Sequence, residues 1–600
     1  MARKDHNAAK RYVIITIFLV VASVFLLRLF YIQVISDKYS FLAESNVRRI
    51  ITQYPPRGVI YDRNGKKMVT NEAAYDLMII PRQVKDLDTT ELCHLLDLDR
   101  SSFDTRLKKA REFSLYKSSI FLEQISQRSY GYLQEKLFRF PGFFVQPRTL
   151  RQYPYPAAAH LLGYVGEVNQ KEIDKDTYYK SGDYIGKGGI EKFYEESLRG
   201  VKGEKIILVD VFNREKGSFE NGRFDKPQVP GLDLTSTLDI ELQVYGEALM
   251  SNKRGSIVAI EPATGEILAL VSSPTYDPNL LIGRIRSKNF ALLAADPLKP
   301  LFNRATQAAY PTGSTFKMIN GLVGLQMGVI IPQTRFGCSG KGSSPIACSH
   351  SHATPLDLVG AIEQSCNPYF WNTFRAIIER GGEGGTNANY VKWREHVMSF
   401  GFGERFDSDL PAHSKGNIPS ENYYNKIYGP KGWKSMTIRS LSIGQGELLI
   451  TPLQLANQAV IIANKGFYIT PHIVKKVEDH VLEFPKKTTN IKPEYFDPVI
   501  EGMYEVFQGS HGTARWYMME GITACGKTGT VENPHGKDHS LFIAYAPAEN
   551  PKIAIAIVVE NAGFGATWAV PMATLMMEKY LKGKVSRPEK EEEIKSANLL

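Results

Sequence analysis

The length and composition of the chain narrow the kinds of protein that it can be. It has 600 residues, of which 43% are hydrophobic, so it can bury large cores and fold as about two to four domains. Its net charge of +10 is spread thinly, without a dense basic stripe interleaved with aromatic residues. This pattern argues against nucleic acid as a partner, and charge beside a membrane explains the excess more simply.

An apolar run near the N-terminus predicts a transmembrane helix over residues 12–35. The run extends from Tyr12 to Leu27 and continues past Arg28 as far as Val34. About 20 apolar residues span the hydrocarbon core of a bilayer, so the run is long enough. It is longer than the apolar part of a typical signal peptide, and no clear small-x-small cleavage site follows it. These features favour a retained anchor over a cleaved signal peptide.

The charges before this run predict its orientation. Arg3, Lys4, Lys10 and Arg11 precede it. By the positive-inside rule, residues 1–11 form a cytoplasmic tail, and the chain after the helix lies on the other side of the membrane. We therefore expect a single-pass membrane protein with an extracytoplasmic part after the helix.

Residues 36–230 predict a separate α+β domain without a catalytic cluster. Turns are frequent there, and Asn64-Gly65 is a strong hairpin signal. Charged residues such as Arg151 and Glu191 lack the geometry of an acid–base pair, and we interpret them as internal salt bridges.

The pattern of apolar residues and turn residues changes near Gly231 and predicts a second α+β domain over residues 231–581. Hairpins are expected at 255–260 with 267–271 and at 540–546 with 552–560, and helices at 239–250 and 568–580. Strands at both ends with helices between them predict an antiparallel sheet that pairs the two ends and is covered by helices. Residues 582–600 are charged and poor in apolar residues, which predicts a disordered tail.

Ser314 and Lys317 lie three residues apart, where a helix is predicted to begin. They share one helical face and can therefore touch. A serine hydroxyl is a weak nucleophile until a base takes its proton, and a lysine can do so only when neutral. Lowering the lysine pKa requires burial or nearby positive charge. The Ser-x-x-Lys pattern alone is common in chains of this length, so the chemistry depends on further motifs.

Two further motifs supply the remaining groups. Ser365 and Asn367 offer a hydroxyl and an amide, and Lys527-Thr-Gly-Thr530 offers a cation, two hydroxyls and a glycine. In this order the three motifs are the signature of penicillin-recognising serine enzymes. Ser314 is then the nucleophile and Lys317 its base, while Ser365, Asn367 and Lys527 relay protons and lower the pKa of that base.

The same motifs predict how substrate is held. Thr528 and Thr530 are expected to bind a terminal carboxylate with the charge of Lys527, and Gly529 lets a substrate strand approach the backbone. The N–H groups of Ser314 and Thr530 are expected to form the oxyanion hole. An amine that attacks the acyl group gives transpeptidation, and water gives hydrolysis.

The chain resembles the class B penicillin-binding proteins over nearly its full length, and their elongation-type members most closely. The resemblance rests on the three motifs, on Gly444-Gln-Gly446, on the aromatic run after Asn367 and on the segment from Asp538 to Phe542. It implies a transpeptidase fold on an elongated pedestal (dimerisation-type) domain. It also implies a D,D-transpeptidase that cross-links peptidoglycan stem peptides, is acylated by β-lactams, and works with a RodA-type glycan polymerase and an MreC-type scaffold. Ala157, where relatives often place glycine, departs from the pattern.

Three cysteines and two histidines lie close together in the sequence before and within the second motif. Thiolates and imidazoles suit zinc, and the resemblance to elongation-type members implies a zinc beside this motif, with its middle residue as a ligand. We therefore expect a structural zinc bound by Cys338, Cys348, His352 and Cys366, with His350 as the substitute for His352. A Cys338–Cys348 disulfide and free buried thiols are the alternatives. No organic cofactor is expected, and Cys93 and Cys525 are interpreted as core residues.

Three other kinds of function are compatible with parts of the sequence: a hydrolase that uses the same acyl-enzyme chemistry, a sensor and a scaffold. A D,D-carboxypeptidase or β-lactam hydrolase would complete the reaction with water, but such an enzyme needs neither the large pedestal nor the anchor. A non-catalytic β-lactam sensor would carry several transmembrane segments, whereas one is predicted. A scaffolding protein need not keep all three motifs.

Overall fold

The chain forms two compact units in a computed structural model that describes residues 6–31, 48–85, 87–209, 215–381 and 385–600. The first unit comprises Met1–Arg57, Ala73–Thr149 and Gly200–Gly231, and the second comprises Gly58–Glu72, Leu150–Arg199 and Leu232–Leu600.

The secondary structure alternates between helices and short strands. The helices are α1 (His6–Phe30), α2 (Thr89–Leu96), α3 (Arg100–Phe113), α4 (Gln127–Lys136), α5 (Ala159–Leu162), α6 (Gln170–Lys175), α7 (Gly189–Phe193), α8 (Glu195–Arg199), α9 (Ile240–Leu249), α10 (Arg286–Ala295), α11 (Lys317–Gln326), α12 (Leu358–Glu363), α13 (Asn367–Ile378), α14 (Gly385–Met398), α15 (Glu421–Tyr428), α16 (Pro452–Ala463), α17 (Phe496–Gln508), α18 (Ala569–Lys582) and α19 (Pro588–Ser596). The strands are β1 (Arg48–Gln53), β2 (Ile60–Tyr61), β3 (Lys67–Ile79), β4 (Ser119–Ser126), β5 (Phe143–Gln152), β6 (Val165–Glu167), β7 (Tyr184–Gly186), β8 (Gly203–Val209), β9 (Glu215–Ser218), β10 (Leu234–Ser236), β11 (Gly255–Ile260), β12 (Ile267–Ser273), β13 (Phe467–Ile469), β14 (Val474–Val477), β15 (His480–Val481), β16 (Lys486–Thr488), β17 (Cys525–Val531), β18 (His539–Ala546) and β19 (Ile553–Val559).

Helix α1 contains the one segment of the described residues that is long and apolar enough to cross a membrane. That segment is Arg11–Phe30, and its side chains are exposed. It covers most of the predicted 12–35 span. Residues 1–5 and 32–35, which belong to the predicted tail and anchor, lie outside the described residues.

The first unit has its own small core. Strands β1, β8 and β9 form an antiparallel sheet, and β4 pairs with the part of β3 after Ala73. Apolar side chains from β3, α3, β4 and β5 are buried together: Leu77, Ile79, Phe103, Phe121 and Phe143. No member of the three catalytic motifs belongs to this unit.

The second unit is built on a five-stranded antiparallel sheet in the order β12-β11-β19-β18-β17. Pairing of β11 with β19 joins the two ends of the domain, which confirms the predicted arrangement. Both predicted hairpins form, and helices α9, α16 and α18 pack against the sheet. The resulting α+β architecture leaves β17 as an edge strand.

The predicted 36–230 domain is divided between the two units. Residues 58–72 and 150–199 belong to the second unit, where Tyr153, Leu161 and Ile190 share a core with Leu234. The interpretation of Arg151 and Glu191 as a structural pair is confirmed, since Arg151 Nε lies 2.7 Å from Glu191 Oε1 and both side chains are buried. Buried pairs of this kind persist when their remaining hydrogen-bonding groups are satisfied.

The prediction of a disordered tail over 582–600 is wrong, because the tail forms α19 and packs on the second unit. Ile594 is buried, Lys253 Nζ donates to the carbonyl of Ala597 at 3.0 Å, and Leu599 N donates to the carbonyl of Asn252 at 2.9 Å. Tertiary contacts of this kind stabilise a charged helix, and the average composition of the segment does not reveal them.

Candidate active site

Ser314 lies in a tight turn that leads into α11. The turn Gly313–Phe316 is a short 3-10 helix, and Gly313 N donates to the carbonyl of Gly444 at 2.9 Å. Gly313 has φ +55°, and a Cβ there would lie 2.5 Å from the carbonyl oxygen of Thr530. Gly444 has φ +71°, and its Cβ would lie 2.3 Å from the carbonyl oxygen of Gly313. Both positions require glycine, and the close approach sets the Ser314 turn against β17.

Lys317, the first residue of α11, is completely buried and points to the second motif. Its Nζ donates to Asn367 Oδ1 at 2.6 Å, to the carbonyl of Ser365 at 2.7 Å and to Ser365 Oγ at 3.2 Å. Burial lowers the pKa of Lys317 to about 8. The half-buried Ser314 has no hydrogen bond to Lys317 in the described part of the chain, so the second motif is what holds the amine.

Lys527, on β17, reaches the same serine from the opposite side. Its Nζ donates to Ser365 Oγ at 2.8 Å and to the carbonyl of Thr528 at 3.1 Å. Burial first, and then repulsion by Lys317, holds the pKa of Lys527 well below its usual value. Burial, one of the two causes expected from the sequence, is the main cause of the lowered pKa of Lys317, and repulsion between the two amines adds to burial at Lys527.

The second motif is shaped to receive both amines. Ser365 has φ +56°, an uncommon conformation for a residue with a side chain, and it lies just before α13. Asn367 begins α13, and its Nδ2 donates to the carbonyl of Ala347 at 2.8 Å, which leaves Oδ1 facing Lys317. The structure thus brings Lys317, Ser365, Asn367 and Lys527 into one hydrogen-bonded group.

The third motif lies on the edge strand β17. It pairs with β18 on one side, and no described strand pairs with its other side. Thr528 and Thr530 are half-buried, and Thr530 Oγ1 accepts a hydrogen bond from Gly565 N at 3.3 Å. A Cβ at Gly529 would lie 3.1 Å from the carbonyl oxygen of Thr312. An edge strand of this kind can accept an extended substrate as an added strand.

Sequence reasoning missed two groups that support this site. Thr513 Oγ1 lies 3.0 Å from Thr528 Oγ1, and no local pattern marks that threonine. Tyr310 donates to Glu560 Oε1 at 2.8 Å, and Arg304 Nε lies 3.2 Å from the same oxygen. Glu560 therefore fixes the segment from Arg304 to Tyr310, which precedes Ser314. Its position at the end of a predicted hairpin gave no indication of this contact, because the partners are about 250 residues apart.

The predicted zinc ligands converge beside the second motif. One ligand atom from each of Cys338, Cys348, His352 and Cys366 lies within 4.8 Å of the others. Cys348 Sγ is 3.3 Å from His352 Nε2, and all five cysteines are free thiols, so the alternative Cys338–Cys348 disulfide is absent from the described residues. His350 is not in the group.

Hydrogen bonds orient this cysteine–histidine cluster. His352 Nδ1 is 2.8 Å from the carbonyl of Ala353, which turns Nε2 to the thiols. Asn367 N donates to Cys348 Sγ at 3.3 Å. The hydrogen bond between Cys348 and Cys366 lowers the pKa of Cys348 to about 4 and raises that of Cys366. Cys93 and Cys525 are buried, as predicted for core residues.

Family models match both parts of the chain. Residues 255–578 match the penicillin-binding protein transpeptidase domain, and residues 52–236 match the penicillin-binding protein dimerisation domain. The chain belongs to the class B penicillin-binding proteins. Its catalytic part is a transpeptidase domain, and the enzyme is a serine-type acyltransferase.

Relatives of this penicillin-binding protein are similar over most of its length. The peptidoglycan D,D-transpeptidase MrdA of Acinetobacter baumannii is 33% identical over 93% of this chain and 85% of its own. The MrdA protein of Haemophilus influenzae is 30% identical over 95% of this chain and 91% of its own. In a solved complex between penicillin-binding protein 2 and MreC from Helicobacter pylori, the similar chain is 28% identical with a TM-score of 0.74, over 89% of this chain and all of that chain.

Proposed function

We propose that this chain is a serine D,D-transpeptidase that cross-links peptidoglycan stem peptides during cell elongation, through an acyl-enzyme on Ser314. The observation that carries the proposal is the Ser365 hydroxyl, which accepts hydrogen bonds from two buried lysines beside the Ser314 turn. Few structural roles require two buried amines that face one hydroxyl, because each costs free energy when charged.

The first step forms a bond from Ser314 Oγ to the carbonyl carbon of the penultimate D-alanine and breaks the amide bond to the terminal residue. Lys317 takes the hydroxyl proton. With a pKa of about 8 it is neutral in about one molecule in ten at pH 7, which suffices for a base. The Ser365 hydroxyl, which bridges Lys317 and Lys527, passes a proton to the departing amine.

The second step regenerates the serine. An amine of a neighbouring stem peptide attacks the acyl carbon, the ester bond to Ser314 Oγ breaks, and the proton lost by the amine returns to Oγ through Lys317. Backbone N–H groups of Ser314 and Thr530 stabilise the oxyanion in both steps, and the packing of Gly313 against Thr530 supports their convergence.

Substrate lies as an extended strand along the open edge of β17. Thr528 and Thr530 hold the terminal carboxylate beside the charge of Lys527, and Gly529 leaves room for the substrate backbone. A β-lactam presents a carboxylate and a strained amide in the same arrangement and acylates Ser314.

We also propose that the cysteine–histidine cluster binds a structural zinc through Cys338, Cys348, His352 and Cys366. Three thiols and one imidazole fit the donor set of a closed tetrahedral site, in which sulfur atoms are about 3.8 Å apart. The bound ion would keep the thiols deprotonated and tie together the loops that carry them. The backbone N–H of Asn367 donates to Cys348 Sγ. The cluster therefore helps to position Asn367, whose side-chain oxygen holds Lys317.

The setting of the reaction follows from the anchor. Residues 12–35 cross the inner membrane, residues 1–11 stay in the cytoplasm, and the transpeptidase domain, which we extend over residues 231–581, acts outside on nascent peptidoglycan. The Helicobacter pylori complex supports an MreC-type scaffold as a partner, and the family resemblance supports a RodA-type glycan polymerase as the source of the glycan strand.

Labelling with a fluorescent penicillin tests the nucleophile. Wild-type membranes should show a labelled band that Ser314→Ala removes, whereas the control Ser287→Ala, at an exposed serine, should label normally. Persistent labelling of Ser314→Ala would overturn the assignment. Incubation of purified protein with a stem pentapeptide and an amine acceptor separates the alternatives: a cross-linked product supports the transpeptidase, and tetrapeptide alone supports a D,D-carboxypeptidase.

A further inference from the structure

The second unit contains a cavity of about 690 Å³ whose lining includes none of the residues assigned to catalysis or zinc binding. It lies among α5, the loop before α7, α10 and the segment from Leu410 to Ala412. Its volume falls in the range of clefts that bind small organic ligands. The lining contains lysines but no aspartate or glutamate, which favours neutral or anionic ligands over cationic ones.

Two polar side chains give the wall of the cavity hydrogen-bonding capacity. His160 Nε2 lies 2.7 Å from the carbonyl of Pro300, and burial lowers the pKa of His160 to about 4, so the neutral ring donates there and keeps Nδ1 as an acceptor. Asn303 is 6% exposed, and its Oδ1 accepts from Ala305 N. Its Nδ2 has no hydrogen-bond partner in the described chain. An unsatisfied buried amide is costly, and a ligand oxygen would relieve that cost.

Aromatic rings form much of the remaining surface. Tyr276 packs edge-on to His160 with centroids 5.4 Å apart, and Tyr164 lies 6.4 Å from Phe290. Phe193 and Phe290 are 57% and 41% exposed although both are large apolar side chains. Exposed rings beside a cavity mark a surface that gains free energy when a ligand covers it.

The two lysines in the lining differ in their pairing. Lys187 Nζ lies 2.6 Å from Glu172, which neutralises it. Lys192 is exposed and forms no ion pair among the described residues, but it is close enough to Glu172 to help lower the pKa of that carboxyl. Two lysines thus share one carboxylate, and the excess positive charge beside Phe193 suits a ligand carboxylate.

We propose that this cavity binds a glycan segment of peptidoglycan: an N-acetylated amino-sugar disaccharide, with a carboxylate of its attached stem peptide on Lys192. The C–H faces of the sugars pack on the aromatic rings, while hydroxyl and acetamide groups pair with His160 and Asn303. The inference rests on the proposed function and deepens it. It gives the enzyme a second point of attachment to the polymer, separate from the cleft that holds the reacting peptide.

The test titrates purified full-length protein, acylated with penicillin so that the catalytic cleft is filled, with a disaccharide tetrapeptide in a calorimeter. The disaccharide alone and the free tetrapeptide are titrated in parallel. We expect saturable binding, with the disaccharide tetrapeptide bound at least about tenfold more tightly than the free peptide. Absence of binding at millimolar concentration, or equal affinity for the free peptide, would overturn the sugar site.

Variants connect that binding to the cavity. Phe193→Ala should weaken binding of both sugar ligands by about tenfold. Lys192→Ala should weaken the disaccharide tetrapeptide by about fivefold and leave the disaccharide nearly unchanged. The matched controls are Phe138→Ala and Lys584→Ala, at exposed positions outside the lining. Unchanged affinity in both cavity variants would contradict the proposal.

Acylation by penicillin tests the proposed nucleophile independently of the proposed cavity site. If penicillin fails to acylate the protein, the nucleophile assignment fails, and the same ligands and variants are titrated against the unacylated chain. The cavity is supported in that case only if Phe193→Ala and Lys192→Ala still weaken binding.

Discussion

The Nζ atom of Lys527 lies 2.8 Å from the Oγ atom of Ser365, although the two residues are 162 positions apart in the chain. The same hydroxyl oxygen lies 3.2 Å from Lys317 Nζ. A hydroxyl can accept a hydrogen bond from one amine and donate one to another as protons move. Two charged lysines have only donors, so they cannot form a hydrogen bond with each other directly. Ser365 is therefore the group through which the two buried amines communicate.

Replacement of Ser365 by alanine should slow acylation without preventing folding. Removal of the hydroxyl leaves the two amines without a shared partner and breaks the proton path, so we expect the rate constant for acylation by a fluorescent penicillin to fall by about 100-fold or more. Ser287→Ala, at an exposed serine, is the control and should acylate at the wild-type rate. A Ser365→Ala rate within about twofold of wild type would remove Ser365 from the proton path.

The acylation rate should depend on the protonation of Lys317. Only the neutral amine can take the Ser314 proton, and the pKa of Lys317 is lowered to about 8. The rate should therefore rise with pH and level off above about pH 8. Lys317→Arg should show almost no acylation at any pH, because an arginine keeps its proton. The measurement is the acylation rate between about pH 6 and 10, and a flat profile would exclude this lysine as the base.

The same lowered pKa affects the free energy of unfolding. The folded-state pKa of Lys317, about 8, lies below its usual 10.5, so the unfolded chain holds this proton more tightly. The contribution of Lys317 should be most destabilising below about pH 8 and should be relieved as pH rises to 10.5. Chemical denaturation of Lys317→Met and wild type across this range isolates the effect, since the variant lacks the titrating group.

The two neighbouring histidines give a matched test of the zinc site. His352 Nε2 faces the thiols, whereas His350 lies outside the group of ligand atoms. His352→Ala should lower the zinc content of protein purified without chelator well below one per chain and lower the melting temperature, because a closed site contributes folding free energy. His350→Ala should keep its zinc. Equal zinc contents in the two variants, or no zinc in wild type, would contradict the ligand assignment.

The sequence predicted the parts of the site that are carried by residue type and order. Ser314, Lys317, Ser365, Asn367 and Lys527 could be named because each motif combines a nucleophile, base, amide or cation with a recognisable neighbour. The sheet could be predicted because β11 and β19 are short apolar runs next to turn residues.

Other features depend on contacts between distant positions or on a few atoms. The assignment of residues 150–199 to the second unit depends on side chains such as Ile190, whose core partners lie elsewhere in the chain. Order in the tail depends on the buried side chain of Ile594 and on the hydrogen bonds made by Ala597 and Leu599, which average composition conceals. The pKa of Lys317 depends on how deeply it is buried, which no four-residue pattern contains.

Thr513 provides a test of a contact that only the folded structure reveals. Its Oγ1 lies 3.0 Å from Thr528 Oγ1, so it orients a hydroxyl that we assign to the substrate carboxylate. Thr513→Ala should raise the penicillin concentration needed for half-maximal acylation rate by about fivefold, while the limiting rate changes little, because one hydrogen bond is worth about 1 kcal/mol. Thr513→Ser keeps the hydroxyl and should restore wild-type behaviour, and Thr488→Ala, at an exposed threonine, is the control. If Thr513→Ala instead lowers only the limiting rate, Thr513 acts on the chemical step and not on carboxylate binding.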